Sequence, residues 1–263
     1  MTPVVPFPLA QDPERERFPS GPERLALALA SSGDPLAGAL DVWYQPILDP
    51  ASLRVLKLEA LIRWRLDGRD VPACDIVNLA EASGLIEELT VWVTARATRQ
   101  TKVWEEAGFG VGMAVNASSG ALAEEAAAEV DPGEITFEIT ESIGVGAAAQ
   151  RSIAALAETG FLISVDDMGA GSASLAYLKD LPISEVKIDR QFVTDLGRDP
   201  RDSAIVRALA GLSRELGMTT VVEGVETPEA VAACISLGCA AQGYWFSRPL
   251  PAAAATAWLR DRA

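Results

Sequence analysis

Hydrophobic and polar positions follow two different rhythms along this chain, and the switch between them recurs. Trp43-Tyr44-Gln45-Pro46-Ile47 and Val55 to Ile62 read as strands joined by a turn near Asp49-Pro50. Stretches with apolar residues at helical spacing then appear near 87–107, 146–159, 201–216 and 227–237, with a shorter one after Ser172. Between them lie short apolar runs: Val111 to Val115, Ile135 to Ile139, Leu162 to Asp166, Glu185 to Asp189, Thr219 to Glu223 and Ala240 to Phe246. Strands separated by helices predict parallel βαβ units. Two early strands and six later ones make eight, the number that closes a (β/α)8 TIM-like barrel. An open doubly wound sheet is the alternative, but no G-x-G-x-x-G follows the first strand. Ahead of the repeat, Pro22 opens a short helix through Leu25, Leu27 and Leu29, which Ser32-Gly33-Asp34-Pro35 ends. The expected organisation is a mobile arm over 1–20, a helix and linker over 21–40, and one barrel domain over 41–263.

The polar residues that interrupt this pattern sit at the strand ends. Period-2 geometry puts Glu59, Leu61 and Arg63 on one face of their strand and Leu58, Ala60 and Ile62 on the other. Asn116 closes the Val111 strand. Glu138 faces inward between Phe137 and Ile139, with Glu141 just beyond. Asp166 and Asp167 end the next strand and run into Met168-Gly169-Ala170-Gly171. Lys187 and Asp189 point inward where Val186 and Ile188 point outward. Glu223 ends the following strand, Glu226 comes three residues later, and Gln242 stands at the polar edge of the last strand. In a barrel these tips converge on one mouth, where active sites of that fold are built. Taken singly, each residue is as well explained by a salt bridge or a helix cap. Taken together, Glu59, Asn116, Glu138, Asp166, Asp167 and Glu223 form an all-oxygen set, and unpaired buried carboxylates raise one another's pKa. Such a set suits Mg²⁺ or Mn²⁺. Two ions about 3.5–4 Å apart would match phosphoryl chemistry.

Composition narrows the chemistry further. The 263 residues contain no histidine, which removes Ser-His-Asp and Cys-His catalysis and every His-ligated metal site. The net charge of −15 argues against a duplex nucleic-acid surface. Three cysteines in no zinc spacing, Cys74, Cys234 and Cys239, point to a reduced, cytoplasmic compartment. The N-terminus has prolines and no basic segment, so no signal peptide is expected. Ala230 to Ser247 is uncharged, but Gly238, Gln242 and Gly243 break it into a helix and a strand, so no membrane span is expected.

At this point the residues match a known family. Glu59-Ala60-Leu61 resembles the signature of the EAL domains, bacterial phosphodiesterases that hydrolyse cyclic di-GMP. The same resemblance runs in order through Tyr44-Gln45-Pro46-Ile47, Arg63-Trp64, Asn116-Ala117-Ser118, Glu138-Ile139-Thr140-Glu141, Asp166-Asp167-Met168-Gly169, Lys187-Ile188-Asp189, Glu223-Gly224-Val225-Glu226 and Gln242-Gly243. It covers the chain from about Asp41 onward, and no diguanylate cyclase GGDEF motif accompanies it.

The resemblance implies an EAL-type barrel with a modified first strand, and it implies roles. Glu59, Asn116, Glu138 and Asp166 would hold one ion; Asp166 would bridge to a second, held also by Asp167 and Glu223. Lys187 would position water or stabilise phosphoryl charge. Gln45, Arg63 and Asp189 would contact substrate, Gln242 would position water or substrate, and Glu226 would support the ligands from behind. Glu141 would anchor the loop Met168 to Ser174. Ca²⁺ is expected to inhibit, since it prefers longer bonds and more ligands than a Mg²⁺ site supplies, and a homodimer and a sensor or signalling partner acting in trans are expected as well. Two features depart from the family. Its loop reads close to D-D-F-G-T-G-Y-S-S-L, whereas here it is Asp166-Asp167-Met168-Gly169-Ala170-Gly171-Ser172-Ala173-Ser174-Leu175, which bears on loop rigidity and dimer coupling. The His-Pro usual after Trp64 is also missing. The expected reaction is hydrolysis of one phosphodiester to linear pGpG by two-metal activation of water. The alternatives are a non-catalytic cyclic di-GMP receptor and a barrel hydrolase acting on another phosphate ester.

Overall fold

The computed structural model describes residues 21–30, 38–117, 131–140, 147–169 and 177–262. The arm over 1–20, the helix end at Ser32–Pro35, Ser118, Glu141 and the loop from Ala170 to Ser174 lie outside them. Strands β1 (Ala39–Leu48), β2 (Val55–Leu66), β4 (Gly112–Asn116), β5 (Ile135–Thr140), β6 (Leu162–Met168), β7 (Glu185–Ile188), β8 (Thr219–Val222) and β9 (Ala240–Ala241) close a barrel of eight. From β2 through β9 each neighbouring pair is parallel, whereas β1 runs antiparallel to both β2 and β9. The connection from β1 to β2 explains the exception. Six residues, 49–54, cannot carry the crossover that a parallel pair requires, so the chain turns straight back.

Helices α1 (Gly21–Ala30), α2 (Ala73–Ser83), α3 (Ile86–Glu106), α4 (Ala147–Glu158), α5 (Tyr177–Asp180), α6 (Pro200–Glu215), α7 (Pro228–Leu237) and α8 (Ala252–Arg260), strands β3 (Arg69–Val71) and β10 (Leu250–Pro251), and 3-10 turns at Pro132–Glu134 and Arg190–Phe192 complete the described elements. Local chemistry sets several boundaries. Asp199 accepts from the Arg201 N–H with Pro200 at the first helical position, and Thr227 accepts from the Ala230 N–H with Pro228 there. Asp67 and Gly68 both have positive φ, which makes a two-residue primed turn and folds β3 back onto β2.

Each strand sends alternate residues outward to the helices. Ile135, Phe137 and Ile139 of β5 are fully buried in one cluster with Ile153, Leu156 and Phe161, and Phe137 meets Phe161 edge-on at 5.3 Å. A second cluster packs Ile188, Val222 and Ala241 under α6 and α7. The residues between these, pointing inward, are polar. At the floor, Lys57 of β2 crosses the barrel to Glu185 of β7, with both carboxylate oxygens at 2.7 Å and Thr136 Oγ1 at 3.2 Å. The sequence carried a signal for this pair: Lys57 is two residues before Glu59, and Glu185 two before Lys187, each on the inward alternation.

Candidate active site

Lys187 stands at the centre of the opposite end, fully buried, with four carboxylates from four strand ends around its Nζ. Glu223 Oε1 lies at 2.6 Å, Glu138 Oε2 at 2.9 Å, Asp166 Oδ1 at 3.3 Å and Glu59 Oε2 at 3.5 Å. Amides close the ring. Gln242 Nε2 donates to Glu59 Oε2 at 2.6 Å, and Asn116 Nδ2 donates to Glu59 Oε1 at 3.0 Å. Gln242 also reaches Gln45 Oε1 at 3.4 Å, and Gln45 donates to the Ser247 carbonyl at 3.1 Å. Eight sequence-predicted residues, Gln45, Glu59, Asn116, Glu138, Asp166, Lys187, Glu223 and Gln242, therefore join one network.

The two adjacent aspartates owe their placement to a bulge. β6 and β7 pair at Val165 with Val186 and again at Met168 with Ile188, so β6 carries one extra residue between them. Asp167 takes the left-handed conformation (φ 56°), which asparagine and aspartate tolerate better than most residues. Its N–H donates to Asp166 Oδ1 at 2.9 Å. Gly169 must be glycine: a Cβ there would meet the Phe192 ring at 2.7 Å, and its φ is 94°. Oxygens of Asp166, Asp167 and Glu223 all lie within 4.8 Å of one another.

The charge balance of the ring is uneven, four carboxylates against one ammonium. Burial alone would lower the Lys187 pKa, but Glu138, Glu59, Glu223 and Asp166 together hold it well above its usual value. Burial, then Glu59, pushes Glu138 far up. Burial pushes Glu223 up to about 8 against the pull of Lys187, with Asp166 and Glu59 adding to the rise. Burial, then Asp166 and Asp189, raises Asp167 to about 6. Glu59 alone falls: burial opposes ionisation there, and Lys187, Gln242 and Asn116 outweigh it.

These residues fit a hard divalent cation. Every donor is an oxygen, and buried Glu138 Oε1 finds no hydrogen-bond donor among the described residues. A carboxylate whose pKa is raised in the fold favours the folded state in full while both states hold the proton, and the folded chain loses that contribution as it is forced to ionise. That stability is present below the unfolded values of 3.8 for Asp167 and 4.5 for Glu223, and it is lost as pH rises through about 6 and about 8. Glu59 works the other way, adding stability as pH rises out of the acid range. The melting temperature of the metal-free protein should therefore fall from about pH 5 to about pH 8.5, and added Mn²⁺ should raise it more at the alkaline end. Calorimetry across that range checks this; a flat profile with a pH-independent Mn²⁺ effect would refute it.

The remaining predicted residues occupy the rim. Arg63 is half-buried, donates from Nη1 to the Ile62 carbonyl at 2.7 Å and lies 5.6 Å from the Trp43 ring centroid. Burial lowers its pKa, while Tyr244 and Glu59 oppose that. Asp189 caps a short 3-10 turn by accepting from the Gln191 N–H. Glu226 is exposed on the loop after Glu223, and no described hydrogen bond joins it to the ring. Gln242 falls just past β9 rather than inside a strand, because pairing ends at Ala241. Sequence reasoning missed Tyr244 and Arg248, which stack at 4.2 Å beside Arg63. An aromatic and an arginine four residues apart, just after Gln242, were the available signal.

The EAL domain family profile matches residues 30–249. The cyclic di-GMP phosphodiesterase NbdA of Pseudomonas aeruginosa is 36% identical over 236 residues, 84% of this chain and 30% of that protein. The bifunctional diguanylate cyclase/cyclic di-GMP phosphodiesterase MucR of the same organism is 36% identical over 225 residues, covering 80% of this chain and 33% of that protein. The chain thus spans about a third of the length of these curated relatives. Among solved structures, the PaMucR phosphodiesterase in its c-di-GMP complex superposes with a TM-score of 0.76 at 35% identity, covering 82% of this chain and 94% of that one. The EAL domain of Mycobacterium smegmatis DcpA does so with a TM-score of 0.73 at 32% identity, covering 85% and 98%. No helix among the described residues is long and apolar enough to cross a membrane. The chain belongs to the EAL domain family.

Proposed function

We propose that this chain hydrolyses one phosphodiester bond of cyclic di-GMP, releasing linear pGpG, with Mg²⁺ or Mn²⁺ as cofactor. The observation that carries the reading is the buried ring of four carboxylates on Lys187, with amides of Asn116 and Gln242 turned into it. Glu59, Asn116, Glu138 and Asp166 would hold one ion, and Asp166, Asp167 and Glu223 a second. Two such ions would supply an activated water and neutralise charge on the phosphoryl oxygens.

The chain's own groups do the rest. Arg63 offers a planar fork to a non-bridging phosphate oxygen pair. Lys187, held protonated by its neighbours, keeps a positive charge beside the reacting phosphate without needing a proton from solvent. Gln242 fixes Glu59 through a 2.6 Å bond, so that its carboxylate keeps one orientation. Glu223, pushed up to about 8 by burial in the metal-free chain, would give up its proton on holding an ion, so metal binding there would tighten as pH rises. Gln45 and Asp189, on the rim, would contact guanine or ribose, and Glu226 would support the loop behind Glu223. A homodimer and a sensor or signalling partner in trans belong to the same proposal.

Purified chain incubated with cyclic di-GMP should produce pGpG with Mg²⁺ or Mn²⁺, stop after exhaustive chelation, and be inhibited by Ca²⁺, which prefers longer bonds and more ligands. Chromatography of the products decides it. Full activity after chelation would overturn the metal mechanism, and binding without turnover would place the chain with receptors.

Glu141 follows Thr140 at the end of β5, and we propose that it anchors the loop beyond Met168. One charged hydrogen bond contributes roughly 1.5–3 kcal/mol, enough to shift a marginal loop from mostly ordered to mostly disordered. Glu141→Ala should lower turnover and metal affinity together and leave metal-free stability nearly unchanged, whereas Ala170→Thr with Ser172→Tyr should raise activity. Titrating Mn²⁺ against rate reads both; a parent-like rate at limiting metal in Glu141→Ala would show that the anchor lies elsewhere.

A further inference from the structure

Two of the three cysteines meet at the floor of the barrel, far from the carboxylate ring. Helix α7 ends in a Schellman arrangement: the Gly238 N–H donates to the Ile235 carbonyl at 3.2 Å and the Cys239 N–H to the Cys234 carbonyl at 3.0 Å, with Gly238 left-handed at φ 68°. This motif brings together the side chains of the third residue before the cap and the second residue after it, a contact usually made by two apolar groups. Here those positions are Cys234 and Cys239. Both are free thiols buried in the same cluster, at 0% and 4% exposure. Both also line an open cavity of about 710 Å³ at the end of the barrel where Lys57 meets Glu185, and Cys239, the one with exposed surface, is the thiol a small solute in that cavity meets.

We propose that Cys234 and Cys239 are a modification site: a thiol pair that hydrogen peroxide converts into an intramolecular disulfide across the corner between α7 and β9. Arg214, whose Nη2 donates to the Leu237 carbonyl at 2.6 Å, sits beside this corner. Burial pushes the Cys234 thiol up to about 12 and that of Cys239 to about 11, with Arg214 pulling the second down. Cys239, which keeps some exposed surface and has Arg214 beside it, is the sulfur that attacks. Its thiolate takes one peroxide oxygen: an S–O bond forms, the O–O bond breaks, and the departing hydroxide collects the thiol proton as water. The Cys234 sulfur then displaces the hydroxyl of that sulfenic acid, an S–S bond forms, and a second water leaves. Two thiols are oxidised and one peroxide is reduced. Cys74, exposed on α2, has no cysteine partner among the described residues and serves as the internal control. The new bond would tie the end of α7 to the strand that leads, three residues on, into Gln242.

The test is peptide mapping of the full chain after peroxide treatment, denaturation and alkylation. Alkylatable thiols should fall from three to one, with Cys234 and Cys239 recovered as one linked pair and Cys74 alkylated. A reductant should restore all three. Cys234→Ser and Cys239→Ser should each abolish the linkage, while Cys74→Ser should keep it. Three free thiols after treatment would overturn the proposal. So would loss of Cys74 alone, a chain-to-chain link through Cys74, or oxidation of Cys239 to sulfinic acid with Cys234 still free. The parent protein alone decides among these outcomes, so a variant that fails to fold leaves the answer intact.

Discussion

Replacing Glu59 by alanine should abolish cyclic di-GMP turnover while the protein still folds. Glu59 accepts two amide hydrogen bonds and stands 3.5 Å from Lys187, so it fixes both the amides and one side of the ring. Removing it displaces the proposed ion and releases Gln242, and a misplaced metal costs several orders of magnitude in rate. The fold does not rely on Glu59 in the same way. Four carboxylates face one lysine, so losing one negative charge relieves repulsion among the other three, which offsets the lost hydrogen bonds. The melting temperature should stay within about 2–4 °C of the parent, the shift expected of ~1 kcal/mol in a domain of this size. A product assay paired with calorimetry reads both halves. A variant that cleaves at the parent rate, or one that does not fold, contradicts the assignment.

The second large effect concerns the lysine. In Lys187→Met, Glu59, Glu138, Asp166 and Glu223 would be left facing one another around an apolar side chain. Breaking a buried ion pair by removing one partner typically costs about 3–5 kcal/mol. Here the loss should be strongly pH-dependent, since the carboxylates, already raised by burial, can escape it by taking up protons. Metal-free Lys187→Met should therefore approach parent stability near about pH 5 and fall furthest below it near about pH 8.5, with Mn²⁺ recovering part of the difference. Turnover should be lost at every pH. Equal melting temperatures of parent and variant at the alkaline end would mean that Lys187 does not balance the ring.

The sequence announced the parts of this molecule that obey a period. The βαβ alternation located the later helices to within a residue or two, as in Pro200–Glu215 and Pro228–Leu237, because Pro, Asp and Thr caps mark their starts. The inward alternation of β5 and β7 brought Glu138 and Lys187 to the mouth, and the structure joins them at 2.9 Å. What escaped lay in short elements. The eleven residues of α2 and nine of α8 are at or below the shortest window over which a helical period can be read. The three-residue β3 was hidden although Asp67-Gly68 is a strong turn signal, since a strand that short shows no alternation. The last strand shrank to Ala240–Ala241 because the chain beyond it bends to pack Gly243 against Val225, where a Cβ would fall 2.0 Å from the Val225 carbonyl oxygen. Which carboxylate would rise in pKa and which would fall depends on distances to Lys187, and no spacing along the chain encodes those.

The reversed first strand has a consequence for how the molecule is made. β1 is complete within the first fifth of the chain, yet its second barrel partner is β9, and Leu48 must wait for Ala241 to close the circle. The contact between Glu59 and Gln242 spans 183 residues. Closing so long a loop is entropically expensive and comes late, whereas the β1–β2 hairpin forms locally. A chain emerging from the ribosome therefore carries an open sheet edge until its last strands arrive, and it holds neither a sealed barrel nor a complete carboxylate ring before then. Hydrolytic competence and final closure should appear together in refolding: the hairpin gives the first kinetic phase, and activity appears only with the last.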